Sequence, residues 1–106
     1  MIVNLRVILA TTDYKNEILE SIINAQSSDD LVDLQDENLN DADLDVIYEK
    51  AVVEKPCQQL HLDRNLFTVK GAITLSMILI DNFTLTELHL SHNRIHDAGV
   101  HILAQT

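Results

Sequence analysis

The chain has 106 residues, 46% of them hydrophobic: enough for one packed domain, and too apolar for a disordered one. Seven basic against 17 acidic residues leave a net charge of −10, which argues against nucleic acid and anionic membrane as partners, because both are held by basic surfaces. The single Cys57 permits no internal disulfide, and no run approaches the roughly 20 apolar residues of a membrane span.

Residues 2–9 are rich in Ile, Val and Leu and suit a strand. Asn4 and Arg6 inside that run make it a poor signal peptide, so a cytoplasmic location is the default. Thr11, Thr12 and Asp13 offer N-cap oxygens ahead of a helix over residues 14–26, where Ile18, Leu19, Ile22 and Ile23 form one apolar stripe. Residues 1–28 therefore read as an atypical terminal strand-helix unit covering one edge of a stack. A separate helical hairpin is the alternative.

The next segment, 29–56, carries the charge: ten acids against Lys50 and Lys55, a net −8. An acidic linker would fit that composition, but a 28-residue register runs through it. Val32 and Leu34 align with Leu60 and Leu62, Leu39 with Phe67, Leu44 with Ala72, Ile47 with Leu75 and Ala51 with Leu79. It reads as a degenerate acidic repeat. Glu37 stands where the later units have Asn and Asp43 where they have Gly, unless a one-residue insertion puts Asn38 in the Asn position. Asp41, Asp43 and Asp45 suit the dipole at a helix start; as an EF-hand loop they fail, because no Gly follows at the sixth position.

The clearest pattern is in the units 57–84 and 85–106. Leu60-His61-Leu62-Asp63-Arg64-Asn65-Leu66-Phe67, then Gly71 and Leu75, return as Leu88-His89-Leu90-Ser91-His92-Asn93-Arg94-Ile95, then Gly99 and Leu103. Six of 22 ungapped positions are identical, and the chain's two glycines lie one period apart. Alternating leucines make a short strand, the Asn can bond a turn's backbone, and the run after Gly has helical spacing. Such a unit cannot bury its own apolar face and must stack on a neighbour.

These residues resemble the leucine-rich repeats, specifically the ribonuclease-inhibitor-like type of 28 residues found also in NOD-like receptors and Ran GTPase activators. The resemblance is close over 57–106 and looser over 29–56. It implies an α/β fold: a right-handed solenoid with a short parallel sheet of about four strands on the concave side and helices on the convex side. It also implies a non-catalytic module that binds a protein partner on the concave face. With the leucines pointing inward, the face residues are Asp33, Gln59, His61, Asp63, Glu87, His89 and Ser91. Asn65, Asn93, Gly71 and Gly99 are read as structural, the two asparagines as largely buried.

No phosphate loop, nucleophile elbow, Cys-x-x-Cys or His-Glu-x-x-His is present, so no catalytic residue, cofactor or metal is assigned. Cys57 aligns with Leu85 and is expected to be inert packing. Asp33, His61 and His89 share one repeat position and should form a column. Three readings of it stay open: ordinary solvent-facing side chains, a pH-sensitive part of the binding face, or a divalent-metal site. The last unit ends inside its helix without a polar cap, so either the chain is a piece of a longer repeat protein or another subunit covers this edge; self-association through residues 85–106 is expected. Two other functions are weighed against protein recognition. A fragment of a GTPase activator would be separated from it by a turnover assay, and a structural piece without its own partner by a pull-down.

Overall fold

The computed structural model describes residues 16–28, 30–80, 82 and 84–106. The strand expected over 2–9 and the caps expected at Thr11–Asp13 lie outside them. Among the described residues, four helical segments and three short strands alternate in a mixed α/β arrangement.

Helix α1 spans Glu17–Asn24 and starts later than the apolar spacing suggests, because Asn16 is its N-cap: the Asn16 side chain accepts from the Leu19 N–H at 3.0 Å. Leu19 and Ile23, four residues apart, face the core, with Ile22 partly buried beside them. Ile18 does not belong to that stripe; it lies about 100° further round the helix and is exposed.

Strand β1 is Leu31–Asp33, β2 is Gln59–His61 and β3 is Glu87–His89. They form an open parallel sheet in chain order, with Leu31 opposite Gln59 opposite Glu87 and so on, each partner 28 residues from the last. Parallel neighbours need a helical crossover between them, and the helices supply it. After β1 come a 3-10 turn (Asp41–Asp43), α2 (Leu44–Ile47) and a π-helical turn (Tyr48–Val53). After β2 comes α3 (Val69–Ile80), and after β3 comes α4 (His96–Ala104). The helices pack on one another in sequence order, forming one layer against the sheet. Val32, Leu34, Leu60 and Leu62 all turn into the space between the layers and are fully buried.

Each strand leaves through a turn whose residue Asp36, Arg64 or His92 has φ near +56 to +59°, again 28 apart. None is glycine, so the left-handed conformation is held by bonds around it: Asp36 N–H donates to Asp63 O at 3.0 Å and Arg64 N–H to Ser91 O at 2.9 Å. The Asn that follows ties neighbouring units. Asn65 accepts from Glu37 N–H and Leu39 N–H, and donates to Leu34 O, Leu62 O and, at 3.3 Å, Asp63 O. Asn93 repeats this one unit on, accepting from Phe67 N–H and donating to Leu62 O and Leu90 O. Asn65 is 4% exposed, whereas Asn93 is only half-buried because no further unit covers it among the described residues.

The acidic residues at the start of the 41–53 segment have more specific work than a dipole. Asp41 accepts from the N–H and hydroxyl of Thr68, at the entry to α3. Gly71 leaves room beside it, since a Cβ there would collide with the Asp41 carboxylate and push it off Thr68. Asp43, in the corresponding position of its own unit, is buried and joins α1 to this segment: it accepts from Asn16 Nδ2 and from Asn40 N–H, both at 2.9 Å. Asp45 alone of the three is exposed.

Candidate protein-binding face

The side of the sheet turned away from the helices carries a polar surface. Asp33, His61 and His89 are direct neighbours across the three strands, with Gln59 beside Glu87 in the next row. Asp63 and Ser91 follow β2 and β3, joined by a bond from Ser91 N–H to Asp63 Oδ1 at 2.7 Å. Asp33, Glu87 and Ser91 are exposed, and Gln59, His61, Asp63 and His89 half-buried. The alternation is that of any strand: Leu60 between Gln59 and His61 faces the other way.

At the centre the two imidazoles stack, ring centroids 4.0 Å apart and planes 26° from parallel. His61 Nε2 is buried without a hydrogen-bond partner among the described residues, while His89 Nε2 lies 3.4 Å from Glu87 Oε1. This geometry disfavours the metal reading of the column. Each ring nitrogen directs its lone pair within its own ring plane, so stacked rings do not converge on a shared ion, and Asp33 is turned to its own turn, accepting from Gln35 N–H and Nε2 at 3.1 Å. Among the described residues no group of three or more His, Cys, Asp or Glu could hold a metal ion.

Cys57 is 1% exposed, and burial pushes its thiol pKa up. Both effects suppress the thiolate. A thiol-disulfide reagent at pH 8 should therefore label the native protein far more slowly than the urea-unfolded chain, and equal rates would show that the site is open.

The helical side holds a feature for which the sequence carries little signal. Ile73, Met77 and Ile80 stand on the outer face of α3, 46%, 67% and 67% exposed. A helix reading Val-Lys-Gly-Ala-Ile-Thr-Leu-Ser-Met-Ile-Leu-Ile is apolar nearly all round, and its composition does not say which apolar side chains face outward. Among the described residues no helix is long and apolar enough to cross a membrane.

Residues 81–103, which hold β3, its turn and most of α4, match the family model described as Leucine Rich repeat. No curated protein and no solved structure matches the chain. The match to a leucine-rich repeat thus falls on residues 81–103, within a mixed α/β fold whose three described parallel strands are set 28 residues apart.

Proposed function

We propose that the chain is a protein-recognition module that binds its partner on the exposed side of the sheet, through Gln59, His61, Asp63, Glu87, His89 and Ser91, with Asp33 at the margin. Leucine-rich repeat modules generally mediate protein–protein interaction. The observation that carries the reading is the in-register polar face backed by buried Val32, Leu60 and Leu62, with the stacked histidines at its middle. Stacked rings form a rigid, amphipathic platform of the kind protein contacts favour. On this reading the units form a ribonuclease-inhibitor-like solenoid and the face is its concave side.

Capture from the source cytosol by immobilised protein, with quantitative mass spectrometry, tests it. A partner retained by the wild type should be lost by the His61→Glu/His89→Glu variant and kept by Lys70→Ala, which changes the helical side. An identical captured set for all three baits would sink the reading.

A second contact is favoured by the last unit, where Leu88, Leu90 and Leu103 are only partly buried although Leu60, Leu62 and Leu75 are fully so. We propose that another copy covers this flank. Sedimentation velocity should show a concentration-dependent rise in mass, removed by Leu90→Lys; a monomer at all concentrations would exclude it.

A further inference from the structure

One diagonal of the sheet face reads charge, ring, charge. Glu87 begins β3 beside Gln59, His61 and His89 stack in the next row, and Asp63 follows one row further, past the end of β2. Rows are two residues apart, about 6.6 Å at the rise of a parallel strand, so the carboxylates lie about 13 Å apart along the strands with the rings midway. Both carboxylates are half used. Asp63 Oδ1 accepts from Ser91 N–H at 2.7 Å and Glu87 Oε1 lies 3.4 Å from His89 Nε2, whereas Asp63 Oδ2 and Glu87 Oε2 meet no donor among the described residues. No Lys or Arg stands among the face residues. Arg64, exposed in the turn beyond Asp63, borders them and forms no ion pair among the described residues. Lys50 and Lys55 are held elsewhere, by Glu54 at 3.1 Å and by the Gln26 carbonyl at 2.9 Å.

We propose that the sheet face takes an extended segment of another protein, with Lys or Arg at i and i+4 and an aromatic or large apolar residue at i+2. This deepens the reading of the sheet face as the binding surface and rests on it. Charge complementarity sets the sign of the partner, since an acidic face without a cation of its own is matched by a basic one. Spacing sets its form. Side chains at i, i+2 and i+4 of an extended chain share one side and repeat at the row spacing of the face. The two cations meet the free oxygens of Glu87 and Asp63, and the middle residue packs on the imidazole pair, where ring carbons offer an apolar contact between the two charges. A second copy does not fit here: it would bring the same carboxylates, and a net charge of −10, against them.

The test uses the full chain and a fluorescein-labelled synthetic peptide with lysine, tyrosine and lysine at i, i+2 and i+4 and serines between them. An isomer with adjacent lysines and the tyrosine at one end, and a version with Glu for Lys, serve as comparators. Fluorescence anisotropy near physiological salt should show saturable binding of the first peptide alone. Asp63→Asn/Glu87→Gln should weaken it about tenfold, and Asp45→Asn/Glu49→Gln, the same change of charge on the helical side, should leave it unchanged. Asparagine at 63 keeps an acceptor for Ser91 N–H, and circular dichroism shows that each variant folds. Should the double variant fail to, Glu87→Gln alone, at an exposed position, should still weaken binding about threefold. Absence of binding, equal binding of the isomer, or equal weakening by the helical-side pair would overturn the proposal. The capture experiment tells its failure from that of the reading beneath it. A partner lost by His61→Glu/His89→Glu but kept by Asp63→Asn/Glu87→Gln leaves the sheet face standing and removes the basic segment; a captured set identical for all baits removes both.

Discussion

Asn65→Ala should destabilise the protein by about 3 kcal/mol, read as a lower urea midpoint at unchanged slope. The side chain is buried, and its removal strands the N–H of Leu39 and the carbonyl of Leu34 in the neighbouring unit, where water does not replace the lost bonds, and takes one of the two amide donors from the Leu62 carbonyl, which keeps Asn93. Asn93→Ala removes the equivalent amide at a half-exposed position and should cost about 1 kcal/mol, because solvent reaches the groups it leaves. Asn65→Asp separates hydrogen bonding from packing. It keeps the shape and the acceptor, but turns a carboxylate oxygen toward the backbone oxygens of Leu34, Leu62 and Asp63, and should be no milder than alanine. Equal losses at Asn65 and Asn93 would mean that the amides do not tie one unit to the next.

What could be read from the sequence is what repetition writes down. Leu60 and Leu88 are identical, so the strands and their 28-residue register were visible, and Val32 could be placed on the same line although β1 shares little else with β2. The column of Asp33, His61 and His89 came from the same count, but whether its rings stack or converge is a matter of side-chain rotamers, which periodicity does not encode. Interactions peculiar to one unit left no trace. Asp41 reaches Thr68 across 27 residues, Asp43 reaches Asn16 across 27, and neither pairing recurs in the next unit, where Val69 and Gly71 occupy the corresponding places. The left-handed turn residues were hidden for the opposite reason: they recur, but as Asp36, Arg64 and His92, with no glycine to announce them. Ile18 and the outer face of α3 show that apolar spacing locates a helix better than it locates the side buried.

Phe67→Ala should be the most damaging single substitution, at about 4 kcal/mol. Among the described residues Phe67 is the largest fully buried side chain, and it holds a position that Leu39 occupies one period earlier and Ile95 one period later. All three fill the same space between sheet and helices, yet burial falls off from the middle, at 3% exposed for Leu39, 0% for Phe67 and 6% for Ile95. A stacked arrangement predicts that order in the energies as well, since the central residue has a covered unit on each side and the cavity it leaves is lined from both. Leu39→Ala should cost roughly 3 kcal/mol and Ile95→Ala about 2 kcal/mol, the last at a site that is less completely enclosed. For a domain of this size, stability totals about 5–15 kcal/mol, so Phe67→Ala alone removes a large share of it and should lower the thermal midpoint by roughly 15–30 °C. Phe67→Leu, which puts the residue of the preceding unit into the central one, should recover more than half of the loss. Chemical denaturation of the four variants decides the matter: equal costs at 39, 67 and 95 would mean that the units do not share one continuous core.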